Sequence, residues 1–306
     1  LYELSKKIIN RIGNPFFGEA YGISYADIYD FSTVKQGLKK FEIELGLPHK
    51  EWGGGWDEDI PDDKVEEVVE YCVNDVNATD AVLEDRWQDF IARLILSDLS
   101  GLPVNATTQQ HTAKIVFNGD ARPQKEFVYT DLAEMFPGYK YGYNPDKKVV
   151  ESTYLEEVTG EGGYVYAEPG MYTNVALLDV ASMHPTSIET LNLFGSYTAN
   201  YSALKEARLA IKRGDYDAAK QMFGGKLARH LTSDEQAEAL SFALKIVINI
   251  VYGLTSAKFD NAFKDPKNID NIVAKRGALF MIDLKHYVQE LGYTVAHIKT
   301  DSIKIP

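Results

Sequence analysis

The sequence predicts a mixed α/β fold of more than one domain, and three observations predict it. The closing run His297-Ile298-Lys299-Thr300-Asp301-Ser302-Ile303-Lys304-Ile305-Pro306 reads as a short apolar strand, a tight Thr-Asp turn and a returning strand. The run Val175-Ala176-Leu177-Leu178-Asp179-Val180-Ala181-Ser182-Met183-His184-Pro185-Thr186-Ser187-Ile188 reads as a buried strand ending in an acid, then a turn and a helix start. Residues 202–253, between these two, are patterned as helices. A chain of 306 residues is long enough for two or three domains with separate cores. Its 45% hydrophobic and 25% charged content is that of an ordinary globular protein.

Taken in order, residues 1 to about 60 alternate short helical and loop segments. Residues 36–46 form a helix closed by Gly46, and Gly53-Gly54-Gly55 is a loop. Asp62 or Asp63 caps a long helix reaching about residue 95, with Val65, Val68, Val69, Cys72, Val73 and Val76 as its apolar stripe. Residues 100–170 are richer in Gly, Pro, Thr and Tyr and read as strands and loops, with Gly160-Glu161-Gly162-Gly163-Tyr164-Val165 turning into a strand. A helix over 202–213 stops at Gly214, and Asp215 caps a second that ends at Gly224-Gly225. A capping box, Thr232-x-x-Glu235 or Ser233-x-x-Gln236, opens a third helix that runs to Tyr252 with Gly253 as its stop. Residues 272–291 form the last helix before the closing hairpin. There is no internal repeat and no low-complexity segment.

No apolar run approaches the roughly 20 residues of a membrane helix, so no membrane partner is expected. The start lacks both the apolar region of a signal peptide and an initiator Met. With the abrupt end after the hairpin, this suggests a piece of a longer protein. The single cysteine, Cys72, excludes an internal disulfide and fits a reducing, cytoplasmic location. A net charge of −13 argues against non-specific nucleic-acid binding while leaving room for a local basic groove.

The chemistry concentrates at three places. Asp179 and Asp301 are strand-end carboxylates far apart in sequence, an arrangement suited to two-metal phosphoryl transfer. Each alone is also an ordinary cap or turn aspartate. Lys245, Asn249 and Tyr252 share a helix face at i, i+4 and i+7, opposite Ile246, Val247, Ile250 and Val251; the alternative is a solvated polar face. Arg208 and Lys212 lie at i, i+4 on the first helix. If the helices pair antiparallel, three cations converge as a triphosphate requires; otherwise they are surface charge. Tyr71 and Asp75 are also at i, i+4, able to hold a metal and orient a water, or merely to decorate a helix.

In combination these residues resemble the family B DNA-dependent DNA polymerases of phage type. Asp179-x-x-Ser182-Met183-x-Pro185 resembles their motif A, Lys245-x-x-x-Asn249-x-x-Tyr252-Gly253 their motif B, and Thr300-Asp301-Ser302 their motif C, in the same order. Tyr71-x-x-x-Asp75 resembles the third motif of the attached 3′–5′ exonuclease. Gly162-Gly163-Tyr164 resembles the glycine-rich segment between exonuclease and polymerase. The likeness covers nearly the whole chain.

The resemblance implies an RNase H-like exonuclease portion (1–100), a connecting region (101–170), a palm with an antiparallel sheet (171–200 and 254–306), helical fingers (201–253) and no thumb. It implies two Mg²⁺ ions, with Mn²⁺ as an alternative, held by Asp179, Asp301 and the Val180 backbone. Arg208, Lys212 and Lys245 would bind the triphosphate, with Ser182, Met183 and His184 beside it. Asn249 and Tyr252 would line the nascent base pair, and Gly162, Gly163, Tyr164 and Gly253 would contact template DNA. The implied substrates are deoxynucleoside triphosphates and a DNA primer-template, in the host cytoplasm if the source is viral; a priming protein or other accessory partner is left open.

Four departures stand out. Lys299 replaces the first aspartate of motif C, His184 replaces the tyrosine under the sugar, and Ile250 replaces a common serine. The first two exonuclease motifs are not found. The rival expectations are a non-catalytic nucleic-acid-binding fragment and a parent protein that acts mainly as a nuclease.

Overall fold

The computed structural model describes residues 2–10, 12–13, 25–55 and 58–306. The alternation expected over the first 60 residues falls partly on 14–24 and 56–57, outside the described residues. The fold is mixed α/β with antiparallel sheets, and it separates into two compact units, Leu1–His111 and Thr112–Pro306.

The first unit is helical among its described residues: α1 (Tyr2–Ile9), α2 (Ile28–Phe31), α3 (Leu38–Glu44), α4 (Val65–Asp85), α5 (Trp87–Ser100) and the first half of α6 (Thr108–Phe117). Asp27 caps α2 by accepting from the Tyr29 N–H, and Gly46 closes α3 at φ +68°. The single long helix expected over 62–95 is two helices broken at Arg86, and it starts after a 3-10 turn, Asp62–Lys64, so neither aspartate is the cap. The expected valine stripe of α4 is exposed apart from the half-buried Val68. The inward face is instead Tyr71, Asn74, Asp75, Ala78 and Val82, because α3 presents Phe41 and the fully buried Glu42 to that side. Glu42 accepts from Lys39 (3.1 Å), Asn74 (3.0 Å) and His49 (2.8 Å), which is how a carboxylate is kept in a core. On α5 the buried Arg93 donates to Asp30 Oδ2 (2.8 Å), to the carbonyls of Val104 (3.1 Å) and Ala106 (2.5 Å), and to Thr108 Oγ1 (2.9 Å).

His111, buried on α6 and bonded to Ser100 Oγ at 2.7 Å, gives this unit a pH dependence. Burial first, and the Arg93 charge second, push its imidazole down to about 4. Above pH 6.5 the ring is neutral folded or unfolded; between 6.5 and 4 only the unfolded chain takes up the proton. We therefore expect this unit to lose about 3 kcal/mol on acidification through that window, and His111→Gln to flatten the loss. Urea melts between pH 7.5 and 4 check it; equal slopes for wild type and variant would refute it.

The second unit opens with the rest of α6, then α7 (Leu132–Met135), two helices in a region expected to hold only strands and loops. A three-stranded antiparallel sheet follows: β1 (Lys140–Asn144), β2 (Val149–Tyr154) and β3 (Glu157–Thr159). A second sheet has the order β4 (Val165–Ala167), β6 (His297–Lys299), β7 (Ser302–Ile305), β5 (Ala176–Asp179), every pair antiparallel. Between β5 and β6 run α8 (Met183–Thr190), α9 (Thr198–Lys212), α10 (Tyr216–Gln221), α11 (Asp234–Thr255) and α12 (Ile272–Glu290).

Local signals are followed closely here. Gly214 ends α9 at φ +75°, Asp215 caps α10 by accepting from Ala218 N–H (3.1 Å), and Ser233 caps α11 by accepting from Gln236 N–H (3.3 Å). Gly253, expected as the stop of α11, lies inside it, since the helix continues to Thr255. Tyr201 near the start of α9 donates to the Ile248 carbonyl late in α11, and Tyr216 just past α9 donates to Asp234 at the start of α11, so the two helices run antiparallel. The core-facing stripe of α11 is Leu240, Leu244, Val247, Ile248 and Val251. Contrary to the expectation that no apolar run approaches the length of a membrane helix, this helix is long and apolar enough, by length and composition, to cross a membrane, though its apolar side is used in packing on α8 and α9. An aromatic cluster of Phe117, Phe127, Phe194, Tyr197 and Phe263, with Phe117–Phe263 centroids 4.7 Å apart, underpins the α8–α9 junction.

Candidate active site

The closing hairpin turns on two residues, Thr300 and Asp301. Two-residue hairpin loops favour positive φ, a conformation suited to Gly, Asn or Asp; Thr300 adopts it at +56°. The turn is held from both sides. Thr300 N–H donates to the Tyr164 carbonyl (2.9 Å), and Val180 N–H donates to the Asp301 carbonyl (2.8 Å). Because Asp179 pairs with Ser302, the two aspartate backbones sit one residue out of register on adjacent strands, roughly 6 Å apart from strand spacing and rise. Neither carboxylate has a side-chain partner among the described residues. The Val180 carbonyl accepts no hydrogen bond there either.

The strand carrying Asp179 is not buried as expected. Strand β5 is an edge strand paired only with β7, and Leu177 and Leu178 are 61% and 55% exposed. Register places Val165, Lys299, Ser302 and Asp179 in one row across the sheet. Directly paired residues share a face, so Lys299 stands on the same face as Asp179, one strand removed. Lys304 and His297 form the next pair on that face.

Helix α8 follows Asp179 through Ser182, which takes the left-handed region at φ +56°. Met183 is buried against Gly277 of α12, where any Cβ would collide with its sulfur, so it is floor rather than contact surface. His184 stacks on Tyr252 of α11, ring centroids 3.9 Å apart and 26° from parallel. Its Nε2 is buried without a hydrogen bond. Burial pushes the imidazole below its ordinary value while the charge of Asp301 pulls it up. A pocket opens between α8, α9, α11 and the hairpin, walled by Ser182, His184, Arg208, Lys245, Asn249 and Asp301. Arg208 Nε is buried there with no bond. Lys212, one turn beyond Arg208, is exposed and outside the pocket wall.

Lys205 was missed by sequence reasoning. It lines the same pocket one turn before Arg208, and the i, i+3 spacing is the signal that could have found it. Its ammonium is taken by Glu189 of α8, so it ties α9 to α8 and is not a free cation.

Two further groups of expected residues sit differently from their sequence reading. Tyr164 is 2% exposed and its hydroxyl bonds Glu157 and Lys285, so its ring is a support inside the unit and not a template contact. Gly163 packs against the Thr300 side chain, while Gly162 and Gly253 are surface glycines. In the first unit, Asp75 accepts from Lys39 (2.5 Å), whose ammonium lies 4.7 Å from the Tyr71 ring centre, and Tyr71 bonds Asp75. That carboxylate is neutralised by a lysine.

No family model matches the chain, and no curated protein matches it. Among solved structures it is similar to the family B DNA polymerase of the hyperthermophilic archaeon Pyrobaculum calidifontis, at a TM-score of 0.47 and 16% identity, over 93% of this chain. The chain spans 39% of the length of that polymerase. So shallow a likeness carries no function, and the weight falls on the geometry of the site.

Proposed function

We propose that the second unit is the catalytic part of a phage-type family B DNA polymerase, transferring nucleotidyl groups from deoxynucleoside triphosphates to a primer 3′ hydroxyl. The observation that carries this reading is the convergence of Asp301, Arg208 and Lys245 on one pocket, none of them with a side-chain partner inside the described protein. At the pocket wall Lys205 is taken by Glu189, and deeper in the unit Lys285 pairs with Glu157, whereas these three groups are left open. A pocket of unpaired charges of both signs suits a polyanionic substrate carried with a divalent cation.

The donor set fits Mg²⁺. Among the described residues no cluster of three or more acidic, His or Cys side chains forms a metal site. Mg²⁺ needs only one or two carboxylates, with substrate phosphates and water completing its shell. Asp179, Asp301 and the free Val180 carbonyl would supply the protein share. When bound, two such ions would activate the primer hydroxyl and neutralise charge on the phosphates. The chain's own groups do the rest. Arg208 and Lys245 hold the triphosphate, Asn249 and Tyr252 flank the base, and His184, braced on Tyr252, lies under the sugar. In this reading the palm is the four-stranded sheet with α8 and α12, and α9 to α11 are the fingers. Proofreading by Tyr71 and Asp75 would require Asp75 to exchange Lys39 for a metal, and a cytoplasmic setting accompanies the reading as part of the proposal.

Primer extension with Mg²⁺ by the 306-residue chain tests the reading. Arg208→Ala or Lys245→Ala is expected to raise the KM for nucleotide about 10- to 100-fold, the scale of a hydrogen bond to a charged group. Unchanged KM in both variants would overturn the assignment. A second reading, nucleic-acid binding without synthesis, is favoured by the exposed Lys299 and Lys304 on the face of Asp179. Primer binding with no Mg²⁺-dependent incorporation would support it over the first.

A further inference from the structure

Helix α12 carries two buried lysines, Lys275 and Lys285, 4% and 5% exposed. A buried ammonium is costly unless its donors are used, and both lysines spend theirs on one stretch of chain. Lys275 donates to the carbonyls of Thr159 (3.4 Å) and Gly160. Lys285 donates to Glu157 and lies 3.0 Å from the Tyr164 hydroxyl, which itself donates to Glu157. Its ammonium also lies 4.5 Å from the centre of the Tyr166 ring. The stretch between, residues 160–164, is closed by Gly160 N–H donating to the Gly163 carbonyl (3.1 Å).

The same stretch grips the catalytic hairpin. Tyr164 accepts from Thr300 N–H at 2.9 Å, and a Cβ at Gly163 would stand 3.1 Å from Thr300 Cγ2, so a side chain there would press on the turn that glycine leaves room for. Thr300 is β-branched and holds φ +56°, a conformation such residues adopt only when their surroundings over-determine it. This contact supplies one side of that constraint, the Val180 N–H bond to the Asp301 carbonyl the other.

We propose that Lys275 and Lys285 are positioning residues that act through residues 160–164 to hold the Thr300–Asp301 turn in the conformation presenting Asp301. Its functional side rests on Asp301 being a metal ligand; its structural side does not. The turn is strained on its own, the glycine-rich stretch is pliable on its own, and two buried charges fix the one against the other.

The test uses the whole chain. Lys285→Met is expected to raise hydrogen exchange of the Thr300 amide about tenfold and to weaken Mn²⁺ binding, read by electron paramagnetic resonance, by a similar factor. Tyr164→Phe, which deletes one hydroxyl and keeps the ring, gives a smaller shift the same way and serves if Lys285→Met does not fold. The deciding variant is Thr300→Gly in the Lys285→Met background. Glycine takes positive φ without strain, so the turn no longer needs the clamp, and both readouts return toward wild type. A lysine that merely stabilises the fold would not be relieved by that change. Unchanged Thr300 exchange in a folded Lys285→Met or Tyr164→Phe chain, or no rescue by Thr300→Gly, overturns the proposal. If exchange responds and is rescued but no variant, nor the wild type, binds Mn²⁺, the clamp stands and the metal-ligand reading of Asp301 falls.

Discussion

Replacing Asp301 with asparagine will lower single-turnover nucleotide incorporation by about 10³-fold or more, the scale of losing several kcal/mol of metal-borne charge stabilisation. The substitution keeps shape and removes charge. The bond that fixes the turn, Val180 N–H to the Asp301 carbonyl, uses main-chain atoms and survives. Since the carboxylate has no side-chain partner among the described residues, its loss strands no counter-charge, and the thermal midpoint should hardly move. Asp179→Asn should behave alike. The double variant should be little worse than either single one, because groups acting on the same ions are not additive. Full incorporation by either single variant would remove that residue from the site.

The largest effect on stability is expected at Gly195, in the turn between α8 and α9. Its φ is +56°, and a Cβ built there falls inside the carbonyl oxygen of Glu126. That contact is backbone against backbone, so no side chain can swing aside. The 120–128 segment is itself pinned across the turn by Val128 N–H to the Leu193 carbonyl (3.2 Å) and by Ser196 to Glu126 (3.0 Å). Gly195→Ala should destabilise the second unit by roughly 2–5 kcal/mol from backbone strain and overpacking together, seen as a lower midpoint in thermal melts. Gly195→Asn discriminates the two causes. Asparagine tolerates positive φ but has the same Cβ, so it should be nearly as damaging; a well-tolerated asparagine would mean that strain, not collision, dominates. Both would also slacken the site, since this turn sets α9, with Arg208, against α8, with His184.

Features written in a few neighbouring residues were legible in the sequence. The closing hairpin, the Asp215 and Ser233 caps and the Gly214 stop depend on local hydrogen bonding and φ preferences, and they appear where their residues place them. Motif spacing likewise brought Arg208, Lys245, Asn249 and Asp301 to one pocket. Features set by what lies opposite were not legible. The valines of α4 have helical periodicity, but periodicity does not say which stripe meets a neighbour, and α3 meets the Tyr71–Asp75 side. An apolar run before Asp179 reads as buried, yet β5 lies at the edge of its sheet. Lys205 and Lys212 are equally basic and both near Arg208; only the packing of α8 separates the one tied to Glu189 from the one in solvent. Tyr164, expected from the resemblance to contact template DNA, is buried because α12 supplies Lys285 behind it.

The exposed edge of β5 has a consequence for how this chain behaves in a tube. Leu177 and Leu178 flank a row of backbone donors and acceptors with no partner among the described residues, and such an edge is a template for another strand. Any second copy offers the same edge, and β5 needs no rearrangement to receive it. The residue at the end of that edge is Asp179, so a strand added there would lie beside its carboxylate and change its exposure to solvent.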